Sequence, residues 1–183
     1  MLTENAHFHD APSPAIARKF QLTDSAEAHG AFSAQLVRDG ATVWRETFQN
    51  LVLTAGKNNL LDTYFAGASY TAAWYMGLVD GGSSPVYNAT DMAASHGGWT
   101  ENVGFSGGAR PSVAWTAASG GSKASTSTVF NINATGTIAG CFIASIATLS
   151  GSTGIVYSAG SFTSGNRSVL AGDTLSVVWT GSL

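Results

Sequence analysis

The chain has 183 residues, a length that suits one domain with an appendage, and a domain of this size buries about two-thirds of its unfolded surface, so it needs neither disulfide nor metal to fold. Apolar content is an ordinary 44%, but charged residues make up only 10%, against about 25% in typical soluble domains. The small net charge of −3 argues against disorder, and a longest basic run of Arg18-Lys19 excludes a phosphate-neutralising stripe for nucleic acid.

Residues 1–30 carry no periodic pattern and read as an extended N-terminal arm. Pro12 and Pro14 bar a helix there. Phe8, Ile16, Phe20 and Leu22 are isolated apolar anchors of the kind that order when laid on another subunit. With the basic pair Arg18 and Lys19, Phe8 and Phe20 are candidate interface residues.

From Ala31 the pattern becomes that of strands. Phe32 to Asp39 alternates imperfectly, Asp39-Gly40 offers a two-residue turn, and Thr42 to Phe48 follows, a strong hairpin signal. Beyond Leu51-Val52-Leu53 the spacing predicts a helix near 57–65. Leu60, Leu61, Tyr64 and Phe65 form one apolar stripe, and Gly67 stands where a C-terminal cap would be. Ala73 to Val79 reads as a core strand ended by Gly81-Gly82. A short helical turn capped by Thr90 or Asp91 is expected up to His96. Further strands are expected near 112–117, 127–133, 136–147, 155–162 and 173–180, separated by Gly/Ser-rich punctuation. The expected fold is all-β: an antiparallel sandwich over residues 31–183, jelly-roll or Ig-like, with one short helix.

Charge is unevenly placed. Residues 1–50 hold ten of the nineteen charged side chains, and the remaining 133 residues hold nine. The body's surface must therefore be Ser, Thr, Asn, Gly and Ala, which is soluble yet cheap to desolvate against a neighbour. Cys141 is the one cysteine and sits in the apolar run Ile138 to Ile143, as a small buried thiol would. No apolar stretch reaches the length of about 18 residues needed to span a membrane. Met1 to His7 lacks the pattern of a signal peptide, so use without secretion is expected.

Motifs for chemistry are sparse. Gly104-Phe105-Ser106-Gly107-Gly108 fits the G-x-S-x-G elbow of hydrolases, with His96, Asp91 and Glu101 nearby. Pro111 prevents a helix from following, so a loop is expected and no catalytic residue is assigned. His7-Phe8-His9-Asp10 could offer metal ligands, but on an arm they would lack supporting groups. Neither metal nor cofactor is expected. Trp44, Trp74, Trp115 and Trp179 fall in predicted strands and read as core. Trp99, after Gly97-Gly98, is expected to be exposed and is a further candidate interface residue.

Several blocks resemble a family of small virion proteins of tailed bacteriophages. They are Asn50-Leu51-Val52 with Gly56-Lys57-Asn58, Leu60-Leu61-Asp62, Trp74-Tyr75-Met76-Gly77-Leu78, Asp91 to Trp99, Arg110-Pro111 and Tyr157-Ser158-Ala159-Gly160. The resemblance covers about residues 48–183 and carries no catalytic residues. It implies a non-enzymatic structural protein, made in the bacterial cytoplasm and located on the phage particle. The expected role is capsid decoration (cement), with copies of itself, as a trimer, and the major capsid protein as partners, and without nucleic acid or membrane. A tail, neck or fibre component and a host-glycan module using Trp99 or Tyr87 are the alternatives.

Overall fold

Asp39 and Gly40 both adopt positive φ, 50° and 75°, and turn the chain back on itself with Arg38 opposite Ala41. That is the geometry of a hairpin whose twist matches its strands. The computed structural model describes residues 27–65, 73–82 and 84–183. Residues 1–26 of the expected arm, with Phe8, Arg18, Lys19 and Phe20, and the proposed cap Gly67 lie outside these residues, whereas its last two residues, His29 and Gly30, already belong to the first strand. Elements run in the order β1 (His29–Arg38), β2 (Ala41–Gln49), β3 (Leu51–Val52), α1 (Thr54–Phe65), β4 (Tyr75–Asp80), β5 (Glu101–Asn102), β6 (Ser122–Ala124), β7 (Thr128–Asn131), β8 (Gly136–Ala144), β9 (Val156–Ser161), β10 (Arg167–Val169) and β11 (Thr174–Ser182).

Two antiparallel sheets pack face to face as an all-β sandwich. The first is ordered β2-β1-β11, with β7 and then β6 along the far edge of β11. The second is ordered β3-β9-β8-β4-β5, with β10 beside the start of β8. Chain start and end meet in the first sheet, where β1 pairs β11 from His29↔Ser182 to Val37↔Thr174. Alternation is clean here: Phe32, Ala34 and Leu36 point inward from β1, and Leu175, Val177 and Trp179 from β11. They meet Met76, Leu78, Ile138, Cys141 and Ile143 of the second sheet. Phe48 packs edge-on against Phe162 at 5.1 Å, tying β2 to the opposite layer.

The second sheet is buried on both faces. Its outer face carries Val79, Ala139, Phe142, Ala144, Val156 and Ala159 under the segment that contains Ala93 and Trp99. β8 therefore reads as seven consecutive buried residues, Ile138–Ala144, rather than an alternation. Burial also pushes the Cys141 thiol well above its ordinary pKa.

Three expectations need correction. The helix begins at Thr54, and its apolar stripe is not packed: Leu61 is 53%, Tyr64 80% and Phe65 77% exposed. It is Gly56, in the first turn, that is buried, against Tyr157 of β9. No helical turn forms at 90–96. Met92 and Ser95 instead exchange two backbone hydrogen bonds of 3.0 Å, and Asp91 spends its carboxylate elsewhere. Residues 112–117 form isolated bridges rather than a strand, because this segment crosses between layers. Val113 donates to Trp74 at the edge of the second sheet, and Thr116 donates to Ala124 in the first.

Gly140 tests the packing of the second sheet. A Cβ there would stand 1.9 Å from the Gly160 carbonyl oxygen, a backbone atom that cannot rotate away. Gly140→Ala should cost about 1–3 kcal/mol, the usual range for overpacking. At the same strand's start, Gly136→Ala meets nothing within 4 Å and should be near neutral. Urea denaturation of the two variants checks the contrast; equal stabilities would contradict it.

Candidate functional site

The polar groups of the sandwich converge where residues 84–111 fold over the outer face of β8. Val86 donates to the Gly98 carbonyl at 2.9 Å, and Thr54 donates to Ala89 at 2.8 Å, which fastens this cover to the head of α1. Beneath it lies Trp99, only 3% exposed. Its ring packs on Phe142 at 5.1 Å and stacks on His96 at 4.1 Å. Its Nε1 donates to Asp91 Oδ2 at 2.9 Å, and the Asn88 amide donates to the same oxygen at 3.1 Å. Trp99 is thus a structural plug, which corrects the expectation of an exposed contact residue. The buried indole needs an acceptor, and the Asp91 carboxylate that sequence reading assigned to a helix cap supplies it. Tyr87 lies 5.9 Å from the same ring and pairs with Ser161 at 2.9 Å. Burial outweighs that hydrogen bond and pushes its phenol up to about 12.

Beside the plug lies an ion pair that sequence reading did not anticipate. Arg110 donates Nε to Glu101 Oε1 at 2.7 Å and Nη2 to Oε2 at 2.9 Å, a bidentate fork. Both side chains are buried, at 5% and 3% exposure. Nη1 donates to the Ile146 carbonyl at 3.0 Å, and the Ser150 amide donates to Glu101 Oε2. The guanidinium also sits 5.0 Å over the Phe142 ring. The pair therefore joins β5, the 106–111 turn, the 146–151 loop and β8. Only the charge types hinted at it; their nine-residue separation in sequence carried no signal.

These groups line a small cleft of about 180 Å³ between His96, Thr100, Glu101, Arg110 and Ser150. Each carboxylate oxygen of Glu101 is already engaged, and His96 Nδ1 is 3.0 Å from the Trp99 carbonyl. The cleft has room for ordered water, and its polar groups serve one another.

The pentapeptide Gly104–Gly108 is an exposed turn in which Gly107 and Gly108 have positive φ. Phe105 anchors it by packing edge-on against Phe130 at 5.0 Å, and the Ser106 amide donates to Asn131. Ser106 lies at the surface, while Asp91 and Glu101, the carboxylates near it in sequence, are committed to Trp99 and Arg110. Among the described residues no group of three His, Cys, Asp or Glu side chains could hold a metal, and His7, His9 and Asp10 lie outside them. No described helix is long and apolar enough to cross a membrane.

A third buried carboxylate, Asp173, accepts from Arg38 Nε and Nη2 at 2.8 and 2.7 Å and from the Leu170 amide at 2.9 Å. Comparison of the chain with family models and with curated proteins finds no match to either.

Two predictions concern the ion pairs. Glu101→Ala strands the Arg110 charge in the interior and should cost about 3–5 kcal/mol, while the double variant Glu101→Leu/Arg110→Met should recover much of the loss. Equilibrium denaturation of both decides; a double variant weaker than the single would contradict it. For Asp173, hydrogen bonds from Arg38 hold the carboxyl below its ordinary pKa. A lowered folded pKa gives stability that is present above the unfolded value of about 3.9 and is lost as pH falls through the folded one. The stability gap to Asp173→Asn should be open at pH 7 and close in acid, as read from melting curves across pH.

Proposed function

We propose that the chain is a non-enzymatic virion structural protein of a tailed bacteriophage, and that it decorates the head as a trimeric cement protein seated on the major capsid protein. The observation that carries this reading is where the charges go. Of the nine charged residues after position 50, only Lys57, Asp62 and Lys123 are exposed. Asp91, Glu101, Arg110 and Asp173 are spent inside the sandwich, and Asp80 and Arg167 are half-buried.

The resulting surface is dominated by hydroxyls, amides and small side chains. A free monomer normally keeps about a quarter to a third of its surface charged for solubility, whereas the buried centre of a protein–protein contact is depleted in charge. A body with so few exposed charges can be covered by neighbours on several sides at little desolvation cost. The exposed Tyr64–Phe65 pair, ring centroids 4.9 Å apart, adds an apolar contact at the end of α1. Of the blocks that resemble phage virion proteins, Trp74–Leu78 runs into β4, and Asp91–Trp99 and Arg110 form the plug and the ion pair that hold the sandwich together; the others fall on β3, α1 and β9. The burial of Trp99 removes one of the two rings, Trp99 and Tyr87, on which a glycan-binding reading rested.

Copy number tests the proposal. Quantitative mass spectrometry of purified particles should find the chain in hundreds of copies, as a shell requires. About six to eighteen copies would place it on the tail axis instead, following the symmetry of that structure. Particles that lack the chain altogether would overturn the proposal.

A further inference from the structure

An apolar recess, larger than the cleft beside Glu101 and Arg110, lies at the pole where β1 begins and β11 ends. It is a groove of about 450 Å³ walled by Leu60, Trp74, Trp115, Tyr157, Trp179 and Leu183. Sites of about 300–1,000 Å³ accept a drug-sized molecule, so two large side chains fit. The rings meet edge to face, Trp74–Tyr157 at 5.5 Å, Tyr157–Trp179 at 5.7 Å and Trp115–Trp179 at 5.6 Å. They form the floor of the groove.

The groove offers mainly apolar surface, from the Trp74, Trp115, Tyr157 and Trp179 rings and from Leu60 and Leu183. An extended peptide would cover it with apolar side chains.

We propose that the groove is the seat of the chain's own N-terminal segment, with Phe20 and Leu22 entering it. The first described strand starts at the groove wall: His29 pairs Ser182 and Gly30 pairs Gly181, and Gly181, Ser182 and Leu183 line the recess. Phe20 is nine residues before His29, a reach of up to about 30 Å at roughly 3.3 Å per residue. Tethering this close gives an effective concentration on the order of millimolar, which favours the chain's own segment over a free competitor. The inference stands whether or not the chain is found on a particle.

The test uses the full chain with a photo-reactive benzoylphenylalanine in place of Phe20, prepared as an equal mixture of light and heavy isotopic forms. Cross-links should map to Asn59–Thr63, Trp115–Lys123 or Trp179–Leu183, and only between fragments of the same isotope. Mixed-isotope products would identify the occupant as a second copy's segment and overturn the proposal, as would cross-links elsewhere or none. In parallel, Phe20→Asp/Leu22→Asp in the full chain should raise acrylamide quenching and red-shift the emission, since three of the five tryptophans line the groove. Unchanged quenching and emission would also overturn it.

Discussion

Everything in this molecule turns on β8 being covered from both sides. Its inner residues Ile138, Cys141 and Ile143 belong to the core between the sheets, and its outer residues Ala139, Phe142 and Ala144 belong to a second core under a loop. A half-buried antiparallel strand needs one apolar face; a strand with two needs a lid as ordered as a sheet. The lid here has little regular structure, so hydrogen bonds supply the order. Asp91 holds the Trp99 indole, and Glu101 and Arg110 hold each other and the 146–151 loop. Three of the nine charges after residue 50, Asp91, Glu101 and Arg110, are consumed in making an irregular cover rigid.

That use of charge links the interior to the exterior. Each buried ionic group needs partners to offset its desolvation, and the bidentate geometries at Arg110–Glu101 and Arg38–Asp173 provide them. The same side chains are then missing from the surface. A body that fastens its loops with charge, in a chain with little to spare, presents a polar but nearly uncharged exterior. The proposed assembly role and the internal architecture share this one cause.

What the sequence made legible was local. Asp39-Gly40 determines its own turn through φ, and the apolar run Ile138 to Ile143 announces a buried strand, so the hairpin and β8 could be read directly. Trp99 was illegible because its burial depends on Phe142, 43 residues away, and nothing in Gly97-Gly98 reveals a lid. The stripe on α1 was seen correctly as a pattern, but periodicity does not say which way a stripe faces. The helix is docked by Gly56 instead. β5, β6 and β10, of two or three residues each, are too short to show alternation and exist because a longer neighbour offers them a ladder. Glu101 was noticed only as a carboxylate close to Ser106 in sequence, whereas the fold pairs it with Arg110.

The antiparallel pairing of β1 with β11 has a mechanical consequence. His29 lies opposite Ser182, so any chain continuing from either end leaves from the same pole of the sandwich. Tension applied between the two ends would load the ladder one rung at a time, beginning at His29↔Ser182 and peeling toward Val37↔Thr174, rather than shearing nine rungs together. Pressure normal to the sheets, by contrast, falls on a continuous stack of aromatic and aliphatic side chains. The domain is built to yield to pulling at its ends and to resist compression across its faces.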